Sequence, residues 1–285
     1  MKITDIIGAN TPSLSFEVFP PKTTDNFESV MSATEKIADL APSYMSVTYG
    51  AGGGTSLFTA EIASRLLERG VTPLAHLTCI SSTKGEIGAT LSNLRNRGIK
   101  NILAMRGDIP SGAHPTDYKY ASDLIRDVRD FGGFTIGGAC YPEGHPESAN
   151  GAKDIEALKI KVDAGCEFLT TQMFFDNNIL YNFIYRLYRA GVNVPIVAGI
   201  MPVTNAQQIK RIISISGNQL PQRFVRLVDR YGDSPAAMKQ AGIAYATEQI
   251  IDLYANGVNA VHVYSMNKPD VAAKIKENLS EIIGR

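Results

Sequence analysis

Five short segments share one pattern, and that pattern limits the fold more than any other feature of the chain. Arg69-Gly-Val71, Arg97-Gly-Ile99, Ala164-Gly-Cys166, Ala190-Gly-Val192 and Asn256-Gly-Val258 each place a glycine between a helix-like stretch and an apolar run. Glycine accepts the left-handed conformation that closes a helix, and the apolar residue after it starts the return to the core. Five copies imply one supersecondary unit used repeatedly. Eight apolar runs of strand length keep the same rhythm, at about 13–19, 44–48, 73–77, 100–105, 134–139, 167–171, 195–198 and 259–264. Amphipathic stretches of helical length separate most of them. In one, Phe58, Ile62 and Leu66 recur every fourth residue with Ala63 and Leu67 alongside, and Glu61 and Arg65 are spaced as an outward-facing i,i+4 pair.

Strand–helix alternation at roughly 25–35 residues per unit gives a parallel sheet, and eight units in about 250 residues match a closed barrel. The expected fold is therefore α/β: a single (β/α)8 TIM barrel spanning residues 1–285, with extra helices before strand eight. Those helices are expected around Gln222–Val228 and near Ser234–Asn256. A doubly wound open sheet is the competing fold, and it should show G-x-G-x-x-G after the first strand. Gly50-Ala-Gly-Gly-Gly54 comes nearest, but Thr55 stands where the last glycine should be. Three consecutive glycines are entropically costly unless backbone must approach a ligand closely; the plain alternative is a flexible loop.

Composition narrows the function classes. A formal net charge of zero argues against a nucleic-acid partner. No apolar run reaches spanning length and Met1-Lys-Ile-Thr-Asp5 is no signal peptide, so a cytoplasmic protein with no membrane partner is expected. Cys79, Cys140 and Cys166 are dispersed, with no C-x-x-C pair, and read as small buried residues. No metal is expected, since no two histidines lie at helical or hairpin spacing.

In a barrel of this kind the chemistry sits at the C-terminal ends of the strands. Those positions carry Glu17, Thr48-Tyr49, His76, Arg106-Gly-Asp108, Tyr141 with His145, Gln172 and Tyr264. Polar and aromatic groups gathered on one rim argue for an enzyme. Glu17 stands out, because Leu14, Phe16 and Val18 alternate with it along the first strand and Pro20-Pro21 ends that strand just beyond. A carboxylate on a near-buried strand is costly unless it is paired or has chemistry to do. Taken singly, each residue has a bland reading as well. His76 could be a satisfied core histidine, the Arg106–Asp108 pair an ordinary ion pair, Tyr141 and Tyr264 barrel caps, and Phe174 and Phe175 core.

On these residues the chain resembles the methylenetetrahydrofolate reductase family, in its bacterial flavoprotein type. The matching runs are Ser15-Phe-Glu-Val-Phe-Pro-Pro21, Val47-Thr-Tyr-Gly50, Ala75-His-Leu-Thr-Cys79, Arg106-Gly-Asp108 and Tyr120-Ala-Ser-Asp-Leu124. Tyr141-Pro-Glu-Gly-His-Pro146, Lys161-Val-Asp-Ala-Gly165, Thr171-Gln-Met-Phe-Phe-Asp176 and Pro202-Val-Thr-Asn205 continue the match in family order. The resemblance implies a (β/α)8 barrel that binds FAD and reduces 5,10-methylenetetrahydrofolate to 5-methyltetrahydrofolate in a ping-pong cycle. It implies Glu17 as the general acid and Asp108 as a charge between flavin and pterin. Gln172 and Lys268 would join these two in binding the folate. Thr48, Tyr49, His76, Arg106, Gly107, Asp108, Tyr120, Ala121, Tyr141, His145, Asp154 and Lys161 match family positions around FAD. Lys268 stands where well-known bacterial members carry arginine.

One departure bears on the electron donor. After Pro202-Val-Thr-Asn205 the family carries an aromatic residue that packs on NADH and folate, and this chain has Ala206. An alanine cannot stack on a nicotinamide or adenine ring. The donor is therefore NAD(P)H or a redox partner protein, the chain then acting as the folate-reducing subunit of a complex. A homo-oligomer also stays open. The functional alternatives are a barrel lyase without flavin and a catalytically silent binding subunit.

Overall fold

Each apolar run becomes a strand: β1 (Ser13–Val18), β2 (Met45–Val47), β3 (Pro73–Thr78), β4 (Asn101–Met105), β5 (Thr135–Cys140), β6 (Phe168–Thr171), β7 (Ile196–Ile200) and β8 (Ala260–Tyr264). The computed structural model describes residues 1–21, 23–49, 56–109, 116–209, 212 and 220–284. Every strand pairs in parallel with the next, and β8 closes onto β1. The expected barrel is the observed one. All five junction glycines have positive φ, from 75° at Gly191 to 122° at Gly165, a conformation that side chains bearing a Cβ rarely adopt. The glycine run at 50–54 lies outside the described residues.

Leu14, Phe16 and Val18 pack into the main core with Val271, Ile275 and Leu279 of the last helix (Pro269–Ile283), leaving Ser15 and Glu17 to the barrel interior. A second apolar cluster fills the bottom of the barrel: Tyr44, Leu74, Leu103, Phe168, Val197 and Ala260, closed by Ile3 and Ile7. The short helix Ile3–Ile7 that supplies this plug is absent from the sequence reading. Its signal, two isoleucines four apart, covers too few residues to register a period. The plug is anchored by Asn101, whose Oδ1 accepts from the Ile3 N–H at 2.9 Å, while its amide donates to the Met1 and Pro73 carbonyls. Phe168 lays its ring over Gly137, its register partner on β5, because that residue has no side chain; a Cβ there would lie 2.3 Å from the ring. The bottom is thus sealed, and the upper half opens at the strand C-termini.

In the helix Ser56–Glu68, Ile62, Ala63 and Leu66 are buried as their spacing implies. Leu67 is exposed instead, and Arg65 pairs with Glu35 and Glu68 and not with Glu61. The neighbouring helix (Phe27–Ala38) supplies Glu35, a contact invisible to local spacing. The two extra helices before β8 are Gln222–Tyr231 and Pro235–Ala255. The second lies hard against the chain after β7, where a Cβ on Gly242 would sit 1.8 Å from the Val203 carbonyl oxygen. Among the described residues no helix is long and apolar enough to cross a membrane.

Candidate active site

Glu17 is the penultimate residue of β1, so the strand's period of two turns it into the barrel near the open rim. Its side chain is 18% exposed, with Oε2 lying 3.8 Å from His76 Nε2. Ser46 stands directly across in the β1–β2 register and hydrogen-bonds the carboxyl group. Burial raises the Glu17 pKa to about 8, against a smaller lowering by the Ser46 hydrogen bond. The desolvated carboxylate is the disfavoured form, so the group is mostly protonated at neutral pH. Burial also lowers His76 to about 3. The contact between them therefore joins a neutral acid to a neutral imidazole and is no ion pair. His76 is not the satisfied core histidine of the bland reading, because its buried Nε2 has no hydrogen-bond partner among the described residues.

A second group of residues lies at the ends of β4 and β5. Arg106 gives both terminal nitrogens to the Glu147 carboxylate, each at 2.6 Å. Gly107 follows with φ 86°, and a Cβ there would meet Thr78 Cβ at 3.0 Å. Asp108 is exposed, and its charge acts on Arg106 and Tyr141. Tyr141 packs edge-on against His145 at 4.6 Å and hydrogen-bonds Gln172. Burial raises the Tyr141 pKa and lowers that of His145.

The helix Gly151–Ala164 starts where Asn150 accepts from the backbone N–H groups of Ala152 and Lys153, a side-chain N-cap. Asp154 and Lys161 stand seven positions apart, which puts both on one helical face. Asp154 is buried, its pKa raised by that burial and drawn back by the His145 backbone N–H. Lys161 donates to the Ala139 carbonyl oxygen at 2.7 Å, and burial lowers its pKa.

The remaining expected residues are spread around the rim. Thr48 closes β2 by donating its N–H to the Val18 carbonyl, and Tyr49 packs half-buried beside it. Tyr120 is exposed with the Lys119 ammonium over its ring, and Ala121 is buried at the start of the helix Ala121–Phe131. Gln172 donates its backbone N–H to the Cys140 carbonyl. Lys268 lies apart from the Arg106 group and donates to Thr204 Oγ1 at 2.8 Å. Tyr264, on the last position of β8, donates its hydroxyl to the Thr171 carbonyl. Its pKa is raised well above the ordinary value by burial and then by Glu17. Gly199 makes that reach possible, since a Cβ there would lie 2.4 Å from the Tyr264 hydroxyl.

Sequence reasoning missed a buried set beneath Glu17. His262 Nδ1 lies 2.7 Å from Ser15 Oγ, and its Nε2 lies 2.8 Å from Ser46 Oγ. The ring stacks on Tyr44 at 5.5 Å. Period-two counting back from Tyr264 on β8 would have found it. Among the described residues no group of three or more His, Cys, Asp or Glu is arranged to hold a metal ion.

A closed parallel barrel with a protonated carboxyl and a cation-bearing rim at its strand C-termini defines a (β/α)8 barrel enzyme equipped for acid chemistry. The profile of the family "Methylenetetrahydrofolate reductase" matches residues 2–280. The chain belongs to that family. It is 34% identical to the 5,10-methylenetetrahydrofolate reductase of Escherichia coli strain K12 over 268 residues, covering 94% of this chain and 90% of that protein. The same values hold for the enzyme of Pectobacterium carotovorum. Methylenetetrahydrofolate reductase (NADH) 1 of Arabidopsis thaliana is 34% identical over 305 residues, covering 99% of this chain and 51% of that protein. The chain thus spans about half the length of its plant relatives and nine-tenths of the bacterial ones. In backbone shape it is similar to an uncharacterized Clostridium thermocellum protein described as binding two copies of 5-methyl-5,6,7,8-tetrahydrofolic acid. That likeness has a TM-score of 0.66 at 13% identity with both chains fully covered, and it speaks for the fold alone.

Proposed function

We propose that the chain reduces 5,10-methylenetetrahydrofolate to 5-methyltetrahydrofolate, with FAD as its cofactor and Glu17 as the acid. The observation that carries this reading is the buried rim carboxyl with a pKa of about 8, in a chain that belongs to the reductase family. Opening the folate's five-membered ring needs a proton on N10, and a carboxyl still protonated near neutral pH can give it.

Two features support a flavin at the rim. His76 Nε2 is a buried polar atom lacking a partner among the described residues, and Gly107 leaves backbone accessible where a side chain would crowd. Arg106 and Lys161 supply positive charge for a diphosphate, and His145 and Asp154 polar groups for its hydroxyls. Thr48, Tyr49, Tyr120, Ala121 and Tyr141 would line the same site. A bound flavin would supply hydride chemistry that these side chains lack.

On the folate side, Gln172 would hydrogen-bond the pterin while Asp108 favours positive charge developing on it. Lys268 would meet the carboxylate of the folate's glutamate, as a point charge without arginine's bidentate fork. Ala206 favours a second reading of the donor alone, in which electrons come from a redox partner protein and not from NAD(P)H. The test is anaerobic. Flavin-loaded protein should bleach with NADH, NADPH or a reduced ferredoxin, then regain colour with methylenetetrahydrofolate while 5-methyltetrahydrofolate accumulates. Bleached protein that stays bleached on adding the folate would end the proposal, and the donor that bleaches it fastest decides the second reading.

A further inference from the structure

The backbone just past Glu17 runs beyond its ladder. The β1–β8 register ends at the pair Glu17 and Tyr264, and Pro20-Pro21 follow with no N–H to give. Phe19, half-buried, therefore carries the last N–H before the prolines, and that group needs a partner from elsewhere. Asn267 supplies one. Its Oδ1 accepts from the Phe19 N–H at 3.0 Å, and its Nδ2 donates to the Phe19 carbonyl at 2.9 Å. A backbone N–H can only donate and a carbonyl only accept, so the orientation of the amide is fixed. Two residues earlier, the buried Ser265 hydroxyl donates to the Glu17 carbonyl at 2.6 Å.

These contacts come from a turn that is itself strained. The Lys268 N–H closes it on the Ser265 carbonyl at 3.0 Å. Both central residues are left-handed, Met266 at φ 54° and Asn267 at φ 52°. Asparagine accepts that conformation; methionine rarely does. Strained backbone persists where its surroundings over-determine it, and the bonds to Glu17 and Phe19 do so on one side. On the other side Lys268 is tied to Thr204 Oγ1 and stands at the N-cap of the last helix. We propose that Asn267 is a positioning residue for Glu17, its amide and the Ser265 hydroxyl fixing the main chain from the Glu17 carbonyl to Phe19. A glutamate side chain is aimed only as well as the Cα that carries it. Misplacement of a reacting group by about 1 Å can cost about 10²-fold in rate.

This inference rests on Glu17 as the acid of the proposed reaction. Asn267→Gly deletes the amide yet keeps a residue at home in left-handed backbone. Flavin-loaded protein is reduced, then mixed anaerobically with saturating methylenetetrahydrofolate, and reoxidation is followed by stopped-flow absorbance. The limiting rate should fall by about 10- to 100-fold, while flavin reduction by the donor that bleaches wild type stays within about twofold. Placed in Glu17→Gln, the same substitution should slow reoxidation by less than about threefold more, since no acid is left to misplace. An asparagine that only stabilises the fold would leave the limiting rate of folded protein unchanged, and that result overturns the proposal. Equal slowing in the two backgrounds, or of the two half-reactions, overturns it too. Should Asn267→Gly fail to fold, Ser265→Ala removes a single hydroxyl and is held to the same pattern, with a fall of about three- to tenfold. Failure of Glu17 as the acid would show separately, as normal reoxidation of the Glu17→Gln protein.

Discussion

Glu147 holds Arg106 through two parallel hydrogen bonds of 2.6 Å, a fork-to-fork contact on the rim. Arg106 stabilises the carboxylate form and keeps the Glu147 pKa below its ordinary value. A diphosphate approaching Arg106 has to displace this carboxylate. The pair is largely exposed on the Glu147 side, so its contribution is at the scale of surface ion pairs, about 0.2–1 kcal/mol. Glu147→Gln should therefore tighten FAD by about two- to fivefold, read from flavin fluorescence quenching during titration of apoprotein. Weaker FAD binding in this variant would mean that Glu147 helps to hold the cofactor.

Removing the acid should separate the two halves of the catalytic cycle. Glu17→Gln should keep FAD and its reduction by the donor, while flavin reoxidation by methylenetetrahydrofolate slows by about 10²–10⁴-fold. Stopped-flow absorbance resolves the two phases. Equal slowing of both would remove Glu17 from the acid role.

The raised Glu17 pKa also has a stability consequence. Folded protein keeps a proton, up to about pH 8, that the unfolded chain releases near 4.5. The stabilising contribution is complete below 4.5, declines as pH rises, and is lost above about 8. Relative to Glu17→Gln, the wild type should therefore lose about 2–4 kcal/mol between about pH 5 and 9, measured by urea unfolding. Parallel stability curves for the two proteins would contradict a Glu17 pKa near 8.

Ala206 is half-buried beside Gly232, and a Cβ on that glycine would lie 3.2 Å from its own. Ala206→Phe adds a ring able to stack on a nicotinamide or adenine, worth about 0.5–1.5 kcal/mol. Half-saturation by NADH should fall by about two- to tenfold in the flavin-reduction assay. No response would count against stacking at this position and in favour of a partner-protein donor.

Gly137 and Phe168 test the barrel floor. Gly137→Ala places a methyl group 2.3 Å from the Phe168 ring and should destabilise by about 1–3 kcal/mol. Adding Phe168→Leu should recover part of that loss, because the smaller side chain vacates the contested space. A double variant no more stable than Gly137→Ala alone would show that the clash is not the cause.

Much of this molecule is legible from local pattern. Eight apolar runs and five junction glycines fall where strands and positive-φ turns are found, because period and backbone freedom are properties of neighbouring residues. The inward turn of Glu17 follows from the same alternation. Other features are not local. Arg65 takes Glu35 from another helix in preference to Glu61, and Ile3 seals a barrel whose wall is completed more than two hundred residues later.

The amino-acid order by itself determined the barrel, its extra helices and the strand on which the acid sits, since repeated spacing dictates each of these. Only the tertiary structure decided that the acid is protonated, that His76 has an atom to spare and that Ser15, Ser46 and His262 form a chain beneath it. Desolvation and hydrogen-bond direction depend on which strands become neighbours when the cylinder closes, and β1 meets β8 only at that last pairing.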